Sequence, residues 1–295
     1  MVSGSTAIGS SALLNGVTST PLHGQTTPAS VVPVSYTQPP FRLGMVTYNL
    51  CAEWDLPTIL KICQETGIAA VELRTTHKHG VEPTLSAEQR REVRNRFAAS
   101  GIVPWGLGTV CEFHSTEPSV VQKNIETCKA FLQLAHDIGA RGVKVRPNGL
   151  PKGVPEEKTL EQIGRALQPC GAEAANLGLE VWVEVHGSGT SHPPRMKTIL
   201  EVASHPQVGI TWNSNKEDIH EGSITPYFEM LRPWIKSCHI NALYSSYPYR
   251  ELFACLKSMQ YDRYTLIEIP EKLDPVQGKL LLHYYKALWR ELQSM

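Results

Sequence analysis

The chain has 295 residues, of which 41% are hydrophobic, and its 28 basic residues are balanced by 28 acidic ones. A formal net charge of zero provides no basic surface for nucleic acid or an anionic membrane, and no apolar run reaches the roughly 20 residues that span a bilayer. Seven cysteines without a CxxC pair argue against a disulfide framework or a zinc ribbon. We therefore expect a globular protein with a small-molecule partner, no nucleic-acid partner and no membrane partner. The composition leaves a homo-oligomer open.

Residues 1–40 contain no Asp, Glu, Lys or Arg and are rich in Ser, Thr, Gly, Ala and Pro. Such a segment has too little apolar surface to order itself strongly. Residues 7–17 are similar to the apolar part of an export signal, but no charged segment precedes them. We predict a flexible or leader-like tail over residues 1–40 and a single domain over residues 41–295. A cytoplasmic and an exported protein both remain open.

From residue 41 onwards, strand-like and helix-like segments alternate eight times. Several of the helices end at a glycine directly before the next strand, as helix C-caps do. Eight such units over about 250 residues favour the α/β class and a (β/α)8 TIM barrel over a doubly wound sheet, and no GxGxxG follows the first strand. The predicted strands are 44–49, 69–74, 102–107, 142–146, 179–187, 208–212, 237–241 and 264–269, and the predicted helices are 56–65, 86–100, 118–138, 156–177, 193–204, 225–231, 249–259 and 275–292.

The fifth strand organises the functional prediction. Its sequence, Leu-Glu-Val-Trp-Val-Glu-Val-His-Gly, alternates with the two-residue period of a strand. Three valines occupy one face and suit packing against helices, whereas Glu180, Trp182, Glu184 and His186 occupy the other. Ionisable groups inside a sheet are costly unless they are paired or bind a metal. We interpret this strand as one wall of an active site.

Polar residues stand at the ends of seven of the eight predicted strands, and barrel active sites lie at the C-terminal ends of the strands. Unpaired buried charges cost several kcal/mol each, so stability alone does not account for a ring of them. The ring consists of Asn49, Glu72, Arg74, Lys144, Arg146, Glu184, His186, Asn213, His239 and Glu268.

Four members of this ring come from consecutive strands and are predicted to converge: Glu184, Asn213, His239 and Glu268. Two carboxylates, an amide oxygen and an imidazole form a mixed oxygen and nitrogen site for a divalent ion. Magnesium or manganese fits these ligands best, with zinc and cobalt as alternatives. The competing interpretation is an inward network of ion pairs that involves the two basic residues of the fourth strand.

The chain resembles the xylose isomerase-like superfamily of sugar isomerases and epimerases from about residue 41 to residue 293. The resemblance is carried by Val-Glu-Val-His in strand five, Thr-Trp-Asn-Ser-Asn in strand six, Ser-Cys-His-Ile-Asn in strand seven and Leu-Ile-Glu-Ile in strand eight. Ketose 3-epimerases of that superfamily hold one metal with Glu, Asp, His and Glu from these strands, and their two glutamates exchange protons with the substrate.

The resemblance implies that Glu184 and Glu268 are metal ligands and also the acid and base, and that His239 is a ligand. Asn213 stands in place of the usual Asp, which removes one negative charge and is expected to weaken metal binding. The implied reaction is proton transfer beside the carbonyl of a sugar or keto-sugar, in which His186 returns a proton if the second glutamate does not. Lys144 or Arg146 would stabilise the enediolate oxygen.

Around this centre we expect a sugar to contact Asn49, Glu72, Arg74, Arg146 and His79, the last in an exposed loop. The absence of a glycine-rich phosphate cradle favours an unphosphorylated substrate. The same chemistry serves lyases and hydratases that act on 3-keto-sugars, so these remain an alternative. A non-catalytic sugar-binding barrel is a second alternative, because a fold does not determine a function.

Overall fold

Eight parallel strands pair in the order of the sequence and close into a barrel, and each strand is followed by a helix. This architecture is seen in a computed structural model that describes residues 41–294. The strands are β1 Arg42–Asn49, β2 Ala70–Arg74, β3 Val103–Glu112, β4 Gly142–Arg146, β5 Glu180–Glu184, β6 Val208–Asn213, β7 Ile235–Ile240 and β8 Tyr264–Ile269. The helices are α1 Leu56–Thr66, α2 Ala87–Ser100, α3 Pro118–Ile138, α4 Glu156–Leu177, α5 Pro193–Ala203, α6 Thr225–Leu231, α7 Tyr249–Ser258 and α8 Pro275–Gln293.

The predicted TIM barrel is therefore confirmed, whereas the predicted tail over residues 1–40 lies outside the described residues. Within residues 41–294, no helix has the length and apolar character needed to cross a membrane. A capping box begins α2, because Ser86 and Gln89 each accept a hydrogen bond from the other's backbone N–H.

The largest error in the predicted strand bounds concerns β3, which the sequence predicts to end at residue 107 and which extends to Glu112. The Thr109 hydroxyl donates a hydrogen bond of 2.8 Å to the carbonyl of Lys144, and the register between β3 and β4 shifts between Gly108 and Glu112. This irregular but paired end of the strand places Glu112 beside Arg146 at the top of the barrel.

Aromatic side chains fill the lower half of the barrel. Trp105 and Trp182 stack with their ring centroids 5.1 Å apart, and Tyr264 contacts Trp105 edge-on at 5.0 Å. A Cβ at Gly106 would lie only 2.6 Å from the Trp182 ring, so the indole needs a glycine at this point. The open space inside the barrel is consequently restricted to the C-terminal ends of the strands.

Candidate active site

Three of the four predicted metal ligands meet at the top of the barrel. Glu184 at the end of β5, His239 in β7 and Glu268 in β8 each offer a ligand atom, and these atoms lie within 4.8 Å of one another. His239 Nδ1 is 3.7 Å from Glu184 Oε1 and 3.4 Å from Glu268 Oε2. This nitrogen is buried and has no hydrogen-bond partner among residues 41–294. It is therefore available as a ligand between two carboxylates.

The other ring nitrogen of His239 explains this orientation. Nε2 lies 3.2 Å from Glu72 Oε2, and both side chains are completely buried. An N–H at Nε2 that donates to Glu72 leaves the lone pair on Nδ1, which is how carboxylates commonly orient histidine ligands of metals. A buried unpartnered nitrogen flanked by two carboxylates fits a divalent ion. Glu72, which the sequence predicts to contact the sugar, is completely buried in this arrangement, and its contact with a sugar stays a prediction.

Glu184 divides its two oxygens between the centre and a lysine. Its Oε2 accepts a hydrogen bond of 2.5 Å from Lys144 Nζ, and both side chains are almost fully buried. Burial alone would raise the pKa of Glu184, but the Lys144 ammonium and His239 outweigh burial and hold that pKa well below its usual value. The ion pairing that the sequence offered as a competing interpretation is thus present beside the three-ligand cluster.

Asn213 lies next to the cluster but presents its nitrogen to it. Its Nδ2 donates to Glu184 Oε1 at 3.3 Å, while its Oδ1 accepts a hydrogen bond of 3.4 Å from Asn241. A rotation of 180° about the terminal side-chain bond would exchange the two atoms and direct the oxygen at the centre. The role of Asn213 as a ligand stays a prediction.

A chain of hydrogen bonds runs outward from the centre through His186. His186 Nδ1 lies 2.9 Å from Asn148 Oδ1, and Asn148 Nδ2 donates to Glu112 Oε1 at 2.6 Å. Arg146 donates to the same carboxylate oxygen at 2.5 Å. Glu112 and Asn148 line a cavity of about 640 Å³ between the loops that follow β3 and β4. Sequence analysis missed both residues, and the φ of 60° at Asn148 reflects a turn that the Asn148-Gly149 pair could have indicated.

Arg74 at the end of β2 is the exception to this pairing. Within the described chain its guanidinium forms no salt bridge and no hydrogen bond, and its Nη1 is buried. Burial and, secondarily, the like charge of Arg146 lower the pKa of Arg74. A Cβ at Gly108 of β3 would lie 2.8 Å from Glu72 Oε1 and 3.4 Å from Arg74 Cδ, so this glycine lets both side chains cross the barrel.

The predicted exposure of His79 is wrong. The residue is 9% exposed, its Nε2 lies 2.9 Å from the carbonyl of Arg74, and its Nδ1 accepts from the Val81 N–H at 3.0 Å. Burial lowers the pKa of His79 to about 4, so its ring is neutral at physiological pH. Both nitrogens are engaged with the backbone, which leaves neither for a substrate hydroxyl. Asn49 ends β1 in a left-handed conformation with φ 44° and is partly exposed at the top of the barrel.

Known structures share this barrel across nearly their whole length. A structure of D-psicose 3-epimerase, solved in the presence of D-fructose, has a TM-score of 0.73 at 12% identity, covering 86% of this chain and 100% of that one. The IolI protein, solved with a zinc atom, has a TM-score of 0.70 at 14% identity over 86% of this chain and 98% of its own. The probable 3-DHS dehydratase AsbF of Bacillus anthracis has a TM-score of 0.67 at 16% identity over 83% and 99%, respectively. At these identities the likeness shows a common fold.

The sequence itself carries the assignment to a family. No curated protein matches the chain in a direct comparison of sequences. The family model of the xylose isomerase-like TIM barrel matches residues 60–282, which include all of the ring residues except Asn49. The chain therefore belongs to the xylose isomerase-like TIM barrel family.

Proposed function

We propose that this protein is a divalent metal-dependent enzyme of the sugar isomerase and epimerase type, which transfers a proton beside the carbonyl of a sugar or keto-sugar. The observation that carries the proposal is the convergence of Glu184 and Glu268 on His239 Nδ1, which lies 3.7 Å from a carboxylate oxygen of the first and 3.4 Å from one of the second. The two carboxylates reach this point from β5 and β8. Removal and return of a proton on one substrate carbon requires acid and base groups that approach from different directions.

The ion would be held by Glu184, His239 and Glu268, with an oxygen from Asn213 after rotation of its amide. Carboxylate and imidazole ligands suit manganese and magnesium, and they also accept zinc or cobalt. When bound, the ion polarises the substrate carbonyl and makes the neighbouring C–H more acidic. The similarity in fold to a protein solved with zinc is consistent with a metal at this place.

The remaining roles in the reaction are assigned to side chains of the protein. Among residues 41–294 the only side chain paired with Glu268 is His239, and the Glu268 side chain is 14% exposed, so it is the better placed base. Glu184 is kept ionised by Lys144, which suits a ligand more than a base. The Lys144 ammonium is also positioned to stabilise the negative oxygen that develops in the enediolate.

His186 is the candidate for returning the proton when the product differs from a simple epimer. Because Asn148 Nδ2 donates to Glu112, its Oδ1 faces His186 and accepts from Nδ1–H. That tautomer leaves Nε2 free to exchange a proton with the substrate. An acid at this position also serves β-elimination or hydration of a 3-keto-sugar, which is the second candidate function. The likeness in fold to a dehydratase as well as to epimerases is consistent with both.

The test is exchange with solvent deuterium. Manganese-loaded protein is incubated in deuterium oxide with ketoses and 3-keto-sugars, and the products are analysed by NMR. We expect deuterium on the carbon beside the carbonyl, abolished by Glu268→Gln and retained by Glu271→Gln, which changes an exposed carboxylate after the same strand. Inverted stereochemistry would assign an epimerase, and an unsaturated or hydrated product would assign a lyase or hydratase.

Metal content provides the second measurement. Elemental analysis should find stoichiometric metal in the wild type and reduced occupancy in His239→Ala, because the central nitrogen is lost. Full occupancy in both His239→Ala and Glu184→Gln would contradict the ligand assignment. A fully metal-loaded protein with no turnover of any sugar would favour the non-catalytic sugar-binding barrel instead.

A further inference from the structure

The charged side chains at the top of the barrel are not balanced in pairs. Lys144 is paired with Glu184, and Arg146 with Glu112. Arg74 has no such partner in the part of the chain that the structure describes, although its Nη1 is buried. A buried guanidinium N–H group without an acceptor costs free energy, because it loses its hydration without a compensating hydrogen bond.

A second buried donor faces the same region. Arg146 uses its Nη2 for Glu112, whereas its Nε is buried and has no partner among residues 41–294. Arg74 ends β2 and Arg146 ends β4, the two strands that flank β3 in the barrel. Two guanidiniums at these neighbouring strand ends repel each other, and a negative charge between them would relieve that repulsion.

The sum of charges around the cavity points in the same direction. With a divalent ion bound, His239 is neutral, because a ligating nitrogen carries no proton. Four carboxylates, three permanent cations and the divalent ion then leave the site with one positive unit of charge. The groups counted are Glu72, Glu112, Glu184, Glu268, Arg74, Lys144 and Arg146. One further negative charge, brought by the ligand, would neutralise the loaded site.

We propose that Arg74, together with the Nε of Arg146, binds an oxyanion carried by the substrate, so that this barrel acts on an acidic sugar. The inference rests on the proposed function, since it identifies the class of sugar that reaches the same centre. Arg74 packs directly against Gly108, where a Cβ would lie 3.4 Å from Arg74 Cδ and would clash with Glu72 Oε1 at 2.8 Å.

The anion is a carboxylate rather than a phosphate. A carboxylate carries the single charge that neutralises the loaded site, and its planar pair of oxygens matches the fork of a guanidinium. A phosphate at neutral pH brings up to two charges and is usually held by backbone N–H groups of a glycine-rich loop, and the sequence contains no such motif. Sugar acids such as keto-uronates have the required chemistry.

The experiment compares three ligands that differ at one carbon. D-fructose, D-fructuronate and D-fructose 6-phosphate are titrated calorimetrically into the manganese-loaded full-length protein and into Arg74→Gln. We expect the wild type to bind D-fructuronate about tenfold to a hundredfold more tightly than D-fructose, and Arg74→Gln to lose that preference. Arg96→Gln, which removes an exposed guanidinium on α2, should behave like the wild type. Without ligand, Arg74→Gln should melt no lower than the wild type, because the Arg74 guanidinium has no hydrogen-bond or salt-bridge partner among residues 41–294 to lose.

Each outcome decides one part of the inference. Equal binding of D-fructose and D-fructuronate by the wild type, or no binding of either anion, overturns it, as does a large drop in the melting temperature of Arg74→Gln. Tighter binding of D-fructose 6-phosphate that depends on Arg74 supports the oxyanion site and overturns its assignment to a carboxylate. Manganese binding by both proteins is measured separately: its absence counts against the proposed metal enzyme, whereas normal metal binding without preference for the acid counts only against the oxyanion site.

Discussion

Two glutamates on one strand face the inside of the barrel and have opposite surroundings. Glu180, at the lower end of β5, accepts hydrogen bonds from both terminal nitrogens of Arg263, from Arg141 and from the indole of Trp182. Burial alone would raise the pKa of Glu180, but these donors, Arg263 above all, lower it to about 2. Every lone pair that burial takes from water is replaced by a donor from the protein, which is the pattern of a stabilising ion pair.

Glu184 lies four residues further along the same face and is surrounded by unused polar atoms. Only Lys144 forms a short ion pair with it, and close by lie His239 Nδ1, Glu72 Oε1 and Arg74 Nη1, all buried and unpartnered within residues 41–294. The Glu180 carboxylate is fully hydrogen-bonded by the protein, whereas buried polar atoms beside Glu184 lack partners in the described chain. The presence or absence of partners for the surrounding buried polar atoms therefore distinguishes the functional Glu184 from the stabilising Glu180 better than the residue type does.

The largest effect is expected from removing the Glu180 carboxylate at the lower end of β5. Glu180→Gln removes the carboxylate that pairs with Arg263, Arg141 and Lys236. It should lower the free energy of unfolding by about 3–5 kcal/mol, as measured by urea denaturation. Because the metal ligands lie at the other end of the barrel, the folded fraction of this variant should bind metal like the wild type. The matched variant Glu184→Gln should lose stoichiometric metal. A Glu180→Gln protein with unchanged stability would contradict the distinction between the two ends.

A smaller effect is expected at Glu72, which we interpret as the positioning residue of His239. Glu72→Gln retains the shape of the side chain but weakens its hydrogen bond to Nε2, so metal affinity should fall about tenfold to a hundredfold in competition with a chromophoric chelator. Nitrogen NMR of His239 should show a mixture of tautomers in place of a single one. Glu82→Gln is the control, because Glu82 bonds only to Thr75 and Thr76 at the same end of the barrel. Equal metal affinity in Glu72→Gln and the wild type would leave Glu72 with a packing role alone.

The fold could be predicted from the sequence because its signals are local. The alternation of β5 and the glycines after α3 and α4 are properties of short segments, and both are confirmed. The end of β3 was missed because its pairing depends on a register shift against β4, a contact between residues more than thirty positions apart. No periodicity within residues 108–112 reveals such a contact.

The candidate site was predictable in its members and less so in their roles. Strand ends of a closed barrel must converge, and this brought Glu184, His239 and Glu268 together as expected. Which inward residue faces the cavity and which lies behind another depends on side-chain length and on the glycine that allows crossing, as for Glu72 over Gly108. The burial of His79 follows from two backbone hydrogen bonds in its own loop, which residue type alone does not indicate.

A further buried carboxylate at the top of the barrel leads to a prediction of how stability depends on pH. Asp218 is completely buried; its Oδ2 accepts from Tyr247 and from the Asn215 N–H, and its Oδ1 has no partner in the described chain. Burial raises the pKa of Asp218 to about 8. An unfolded Asp loses its proton near pH 4, so between pH 4 and 8 the folded state binds more protons and stability falls as pH rises.

Asp218→Asn removes this titration. Relative to the wild type, its melting temperature should therefore rise from pH 5 to pH 8, by an amount equivalent to about 3–4 kcal/mol in calorimetry. Glu217→Gln, the exposed neighbour, should show no such trend. A difference between Asp218→Asn and the wild type that is constant with pH would mean that Asp218 remains ionised throughout.

The smallest effect is expected from Asn213→Asp, which adds one negative charge beside Glu184. In the metal-free protein the new carboxylate would stand where Asn213 Nδ2 now lies, 3.3 Å from Glu184 Oε1, so it should lower the melting temperature by repulsion. In the presence of manganese the same charge becomes a ligand, and metal affinity should increase about threefold to tenfold. The two effects have one origin, so the gain in melting temperature on adding manganese must exceed that of the wild type.

Asn95→Asp adds the same charge on the exposed face of α2 and should change neither quantity. Repulsion without tighter metal binding would place the ion on the far side of Glu184, and it would leave the amide of Asn213 as a hydrogen-bond donor to the carboxylate.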